Sequence, residues 1–360
     1  MDGVSDHPFR HITKKYGHAD LVYTEFTSVE GICHGATRLL RDFQYDETQR
    51  PIIAQIYGTT PRFFRQSAIL LCELGFDGID INMGCPAKNV AHLGAGAALI
   101  RTPDLAVEII RQTQAGVADW LEGKTSADCE DIVPEIAHSI ATAKEKLPPA
   151  YQQRRPVPVS VKTRIGFSEP VLHEWLPRLL ELQPAAIALH GRTLKQAYTG
   201  SADWEQIGWA AQYAKGSGTH IIGNGDVKDR AHAVQLSATY GVSGALIGRA
   251  SFGNPFVFLP AEDLARCEQD IHLRFAVALE HSQLFEATYG SNPRYAFLPM
   301  RKHLGWYARQ IPHAKELRMQ LLLADTSEQV KALFDAFLQR LEMHRETTMA
   351  SAEYNAPNDN

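Results

Sequence analysis

A cysteine does chemistry only where a loop exposes and holds it, and one of the five in this chain has that setting. In the segment DINMGCPAKN, residues 80–89, Cys85 follows a short strand-like run and stands between a glycine and a proline. That arrangement brings a thiol out at a strand end. With an unperturbed pKa of about 8.5, a thiol is mostly protonated near neutrality and can act as a general acid. Cys33, Cys72, Cys129 and Cys267 have no comparable surroundings and read as inert small hydrophobes. Lys88, on the same loop, could hold a phosphate or polarise a carbonyl.

Two glycine-bearing turns come later, Gly223-Asn224-Gly225-Asp226 and Gly248-Arg249, each closing a strand-like run. In a barrel these are the places where backbone amides, a following helix N-terminus and a guanidinium hold a phosphate. Gln55, Lys162 and His190 end three earlier runs and converge on the same mouth, where they suit an isoalloxazine ring. An amide can bond the pyrimidine edge, a lysine can stabilise negative charge at the N1 side of a reduced ring, and a histidine can approach ring or phosphate. The remaining histidines do not cluster as metal ligands, so no metal site is expected. No Rossmann glycine fingerprint is present, so a nicotinamide nucleotide would visit the same mouth.

The elements that must position these residues are seven short runs ending near Phe26, Gly58, Asn82, Arg164, Gly191, Asp226 and Arg249, with helical stretches between them. Alternating strand and helix implies a parallel sheet, and polar residues at every strand end favour a TIM (β/α)8 barrel over an open doubly wound sheet. Seven runs are one short of eight. Met1-Asp2-Gly3 reads as the loop after a first strand, so that strand is expected to be missing ahead of Met1, at a cost in stability or flavin retention. The barrel is expected over residues 1–258, with a polar surface insertion at 112–156 whose role is unreadable. A small helical domain is expected over 259–345, then a disordered tail over 346–360.

The net charge of −5, from 36 Lys and Arg against 41 Asp and Glu, excludes an evenly basic nucleic-acid coat. A local patch remains: Arg294, Arg301, Lys302, Arg309, Lys315 and Arg318 oppose the single acid Glu316, with Tyr295, Trp306 and Tyr307 interleaved. Such a mixture suits an RNA backbone. No apolar run reaches the roughly 20 residues that cross a bilayer, and Met1–Arg10 lacks a secretory pattern. Five widely spaced cysteines with no C-x-x-C pair fit a reducing cytoplasm rather than a disulfide framework.

Taken in order, MDGVSD, TEF, NMGCPAK, GAGAAL, SVKTRIG, LHGRT, NGD and IGRASFGNPFVF resemble the tRNA-dihydrouridine synthase family over roughly 250 residues. The likeness continues through MRKHLGWYARQIPHAKELR, Met300 to Arg318, which resembles the family's helical tRNA-binding domain. The resemblance implies a bound FMN, reduced by NADPH or NADH, whose hydride goes to C6 of a uracil in tRNA while Cys85 protonates C5. It implies Met1, Gln55, Lys162, His190, Asn224, Gly225, Asp226, Gly248 and Arg249 around the flavin. Asn82 and Lys88 would lie nearer the base, and Arg301 and Lys302 on the RNA. No protein partner and no membrane are implied. Two other readings stay open on the residues: a flavin-dependent dehydrogenase of a free pyrimidine, and a tRNA-binding barrel without catalysis.

Overall fold

The computed structural model describes residues 1–290, 297–309 and 311–354. Each of the seven β-branched runs forms a strand: β1 (Val22–Ser28), β2 (Ile52–Tyr57), β3 (Gly78–Met83), β4 (Val159–Arg164), β5 (Ala186–His190), β6 (His220–Asn224) and β7 (Gly244–Leu246). All neighbours pair in parallel, and the sheet order follows the sequence order from β1 to β7. An order with no reversal has no topological switch point, so the fold is barrel-type rather than doubly wound.

Strand side chains alternate with period two, and residues paired across parallel strands share a face. The registers therefore build three tiers on one face of the sheet. The lowest holds Gln55, Asp80, Ser160 and Ala186. Above it come Asn82, Lys162, Ala188 and Ile222, then Arg164, His190, Asn224 and Leu246. Polar side chains thus collect toward the strands' C-terminal ends. The opposite face carries Ile79, Ile81, Val159, Val161, Ile187 and Leu189, all at most 5% exposed. They belong to the core under the helices, as expected for a parallel sheet covered on its outer side.

Helices Pro61–Glu73 and Pro103–Leu121 both start with proline in the first turn, where its missing N–H costs nothing. Gly116 lets them meet closely, because a Cβ there would stand 2.1 Å from the Arg65 carbonyl oxygen. The stretch expected as a surface insertion is tied into this layer. Residues 112–121 complete the second helix, and Trp120 is 1% exposed beneath Arg154. Gln66 donates to Asp131, and Glu73 accepts the Ser126 N–H. Asp119, Ser126 and Asp131 face an earlier helix, although in sequence they read as part of a polar surface insertion.

The chain divides into two compact units, Met1–Ser251 with Val257–Ala261, and Phe252–Phe256 with the residues from Glu262 onward. The expected single cut at 258 is therefore an exchange of short segments. Phe252 joins the second unit by stacking on Trp306 with ring centroids 4.4 Å apart. That unit contains helices Ile271–Tyr289, Leu298–Tyr307, Lys315–Leu321 and Ser327–Tyr354, around a core that includes Phe275 stacked on Phe334, Met300, Leu304 and Leu317. The last helix runs through 346–354, where a disordered tail was expected. Residues 355–360 lie outside the described residues.

Candidate active site

Cys85 sits on the loop after β3, half-buried. Asn82, in the final turn of that strand, accepts the backbone N–H groups of Gly84 at 3.1 Å and Cys85 at 2.9 Å on its side-chain oxygen. Its amide nitrogen donates to Gln55 Oε1 at 2.9 Å, and Gln55 Nε2 donates in turn to Asp80 Oδ2 at 2.7 Å. Ser160 Oγ donates to the other oxygen of Asp80 at 2.6 Å. Asp80 is fully buried, and burial pushes its carboxyl up to about 6 despite these two donors. From the other side Arg164 donates to the Gly84 carbonyl at 2.7 Å and to the Thr193 carbonyl at 3.1 Å. Burial also raises the Cys85 thiol above its ordinary value, opposed by the Ala87 N–H that points at Sγ from 3.5 Å. A thiol so placed keeps its proton at neutral pH.

The second half of the mouth is built on β4 to β7. Lys162 donates to Asn224 Oδ1 at 3.3 Å, a neutral amide, and Asn224 donates to the Leu246 carbonyl at 3.2 Å. Burial lowers the Lys162 ammonium to about 8. His190 lies beside Gly225, whose Cβ would fall 3.2 Å from the imidazole Cδ2. Its pKa is driven far down, first by burial and then by the cations Lys162, Arg164 and Arg192, so the ring is neutral. Asp226 accepts both terminal nitrogens of Arg192, at 3.1 and 2.7 Å, the Ala202 N–H at 2.9 Å and Arg249 at 3.1 Å. Arg249 also lies over the Tyr198 ring at 4.9 Å. The Gly248 Cα is bare except for Met1, whose sulfur would be 3.8 Å from an added Cβ.

Cys85, Asn82 and Gln55 thus form one hydrogen-bonded group. Lys162, His190, Asn224, Gly225, Asp226 and Arg249 gather at the adjacent strand ends, with Lys162 bonded to Asn224 and Arg249 to Asp226, and with Met1 against Gly248. Lys88 opens the short helix Lys88–His92, but its side chain lies outside the described residues, as do Arg294 and Tyr295. Arg301 and Lys302 are in the helical unit. Arg301 donates to the Ala324 carbonyl at 2.9 Å and the Leu323 carbonyl at 3.3 Å and pairs with Asp325, so it anchors the end of a neighbouring helix. Four residues escaped the sequence reading: Asp80, Ser160, Arg164 and Arg192. Period-two counting back from Asn82 and Lys162 would have found Asp80 and Ser160, and counting forward from Lys162 would have found Arg164, on the same face.

A groove of about 750 Å³ lies at the other ends of β6 and β7, lined by residues such as Gly216, Gly218, Tyr240 and Ser243. It holds none of the groups described above. Among the described residues no three His, Cys, Asp or Glu side chains are placed to hold a metal, and no helix is long and apolar enough to cross a membrane.

The family model described as dihydrouridine synthase matches residues 1–146 and 136–342. A "Probable tRNA-dihydrouridine synthase" of Staphylococcus aureus (strain MRSA252) is 32% identical over 342 residues, covering 94% of this chain and 91% of the relative. The "Probable tRNA-dihydrouridine synthase 2" of Bacillus subtilis (strain 168) is 32% identical over 351 residues, covering 94% and 92%. Among solved structures, DHODH from Eimeria tenella in complex with ferulenol aligns with a TM-score of 0.41 at 14% identity, covering 67% of this chain and 63% of that one. At that level the likeness carries no functional weight.

Proposed function

Since the chain belongs to the dihydrouridine synthase family, we propose that it reduces a uridine of tRNA to 5,6-dihydrouridine with Cys85 as the proton donor and FMN as the bound cofactor. The observation that carries this reading is a thiol kept protonated by burial at the same mouth as a buried ammonium, Lys162, whose hydrogen bond goes to a neutral amide. Asp80 attracts this ammonium from the tier below, but among the described residues no carboxylate hydrogen-bonds to it, and an anionic ligand would supply a direct partner.

The residues fit a flavin on that ground and on the open flank at Gly248. Gln55, Lys162 and His190 would hold the ring. Asn224, Gly225, Gly248 and Arg249 would hold the phosphate, and Met1 would lie alongside. Asp226 acts by fixing Arg249 and Arg192. Bound and reduced by NADPH or NADH, a flavin supplies a hydride for C6 of the uracil. The protein's own contribution is placement and protons. The base must leave the folded RNA to enter the mouth, Asn82 and Lys88 flank the loop that would meet it, and the Cys85 S–H delivers its proton to C5. A neutral His190 does not compete as a proton donor. The tRNA body would rest on the helical unit through Lys302 and neighbouring cations.

The test is to map dihydrouridine by mass spectrometry in tRNA from cells lacking this protein, then after return of wild type or Cys85→Ala. Loss of a positioned general acid costs about 10²- to 10⁴-fold in rate, so the alanine variant should leave the modification largely absent. Full rescue by Cys85→Ala would refute the proton-donor role. Turnover of free uracil or dihydroorotate at rates matching tRNA would replace tRNA as the substrate.

A further inference from the structure

We propose that Asp80 is a positioning residue: through the Gln55 and Asn82 amides it sets the orientation of the Cys85 loop, and with it the exposure and aim of the thiol. In the proposed function Asp80 touches neither base nor flavin. The inference rests on that function only for its consequence in catalysis.

The two ends of an amide side chain are nearly the same size, and its partners decide which way it faces. An ionised carboxylate can only accept. Asp80 therefore requires Gln55 to present Nε2, which it does at 2.7 Å. Gln55 Oε1 is then the end that faces Asn82, which must present Nδ2, at 2.9 Å. That leaves the Asn82 oxygen for the N–H groups of Gly84 and Cys85. Were any amide in the series reversed, Asn82 would offer N–H groups to N–H groups, and two backbone donors beside the thiol would lose their acceptor. The series has one stable direction, and the carboxylate at its far end sets it.

The placement of Asp80 argues against simple filling of the barrel interior. An apolar side chain at a position this buried would avoid the cost of dehydrating a charge. Both Asp80 oxygens accept from neutral donors, Ser160 and Gln55, and Lys162 attracts the carboxylate through space, so its hydrogen bonds are committed to orienting the side chains around it. The registers Gln55↔Asp80 and Asp80↔Ser160 place all three on adjacent strands at one level, where barrel strands hold them rigid.

The experiment reads the thiol directly and needs neither RNA nor turnover. Full-length wild type, Asp80→Ala, Asp80→Asn, Gln55→Glu and the double variant Asp80→Asn/Gln55→Glu are treated with iodoacetamide, and alkylation of Cys85 is measured by mass spectrometry relative to Cys267 in the helical unit. Asp80→Ala removes the acceptor, and Cys85 should react about tenfold faster, the effect of losing roughly one hydrogen bond from the closed loop. Asp80→Asn, which can still turn its oxygen to Gln55, should stay within about threefold of wild type. Gln55→Glu sets two carboxylates face to face and should react like the alanine variant. In the double variant the new amide at position 80 would donate to a carboxylate at position 55 that still accepts from Asn82, so the series regains its direction and the slow rate should return. In steady-state dihydrouridine formation, Asp80→Ala should lower kcat and leave the KM for tRNA unchanged.

An unchanged Cys85 rate in folded Asp80→Ala overturns the proposal. So does a double variant as reactive as Gln55→Glu alone, and this second comparison holds even where Asp80→Ala fails to fold. Absence of dihydrouridine formation by wild type would instead count against the proposed function, leaving the alkylation result to stand by itself.

Discussion

Gly225 offers a quantitative test of how rigidly the second half of the mouth is packed. Its backbone has φ +127°, a region L side chains rarely adopt, and an added Cβ would stand 2.4 Å from Ala202 Cβ and 3.2 Å from His190 Cδ2. Gly225→Ala therefore combines two penalties: backbone strain of about 1–3 kcal/mol, and overpacking of about 1–3 kcal/mol. Gly123 separates them. Its φ is +121°, but an added Cβ there meets nothing within 4 Å, so Gly123→Ala should show the strain alone.

The assay is urea unfolding of wild type and both variants, with free energies compared at a common slope. Gly225→Ala should lose about 2–6 kcal/mol and Gly123→Ala about 1–3 kcal/mol. Gly225→Ala should also lose flavin absorbance in the purified protein, because the displaced groups, His190 and the Ala202 segment held by Asp226, belong to the mouth. Equal losses in the two variants would show that Ala202 and His190 simply move aside, and would refute the argument that Gly225 is required for close packing.

Lys162→Met removes a buried ammonium hydrogen-bonded to a neutral amide, so the flavin-free protein should unfold at the same or a higher urea concentration, by up to about 3 kcal/mol, while flavin retention is lost; a large destabilisation would contradict the charge argument. His303 is 1% exposed, and burial, with the neighbouring His281 and Lys302, holds its pKa well below 6.5, so below pH 6.5 the unfolded chain takes up a proton that the folded one refuses and stability falls with pH. Relative to His303→Gln, wild type should lose about 1.4 kcal/mol per pH unit as the pH drops from 6.5 toward 5, and a constant difference in parallel melts would rule this out. Lys302→Ala should weaken tRNA binding across sequences and reduce the slope of log affinity against log salt by about 1, whereas Arg301→Ala, which frees the Ala324 and Leu323 carbonyls, should show as a loss of about 1–3 kcal/mol in unfolding; the reverse pattern would make Arg301 the RNA contact.

The seven strands were legible because β-branched runs bounded by turn residues report local backbone preference, and each ends where polar residues begin. The strand-end candidates were legible for the same reason. Asp80 and Ser160 were not, since each lies inside its strand and acquires meaning only when the register sets them opposite each other, a non-local pairing that one sequence does not display. Arg192 stood within a quoted motif without a role because its partner, Asp226, is 34 positions away. The stretch at 112–156 read as a surface insertion because its acids look like solvated residues, yet Asp119 and Asp131 meet Arg65 and Gln66 of an earlier helix. Density of cations along the chain marked Arg301 for RNA but did not show that helix packing brings its guanidinium onto the Ala324 and Leu323 carbonyls.

The charges of the mouth are distributed in a way that stability alone does not explain. Arg192, 2% exposed in its side chain, is matched by Asp226, which also reaches Arg249. Arg164 is buried and Lys162 half-buried, and their hydrogen bonds go to carbonyls and to an amide. Burial correspondingly depresses the pKa of both. Arg164, held against carbonyls, and Lys162, balanced only from a distance by Asp80, cost stability in the empty protein, and a ligand that binds only the folded state and carries negative charge recovers that loss as affinity. The same pair lowers the cost of ionising a nearby thiol, yet burial still dominates at Cys85 and its pKa is raised. The mouth therefore favours an anion at Lys162 while leaving the proton on Cys85, the combination that the proposed function requires.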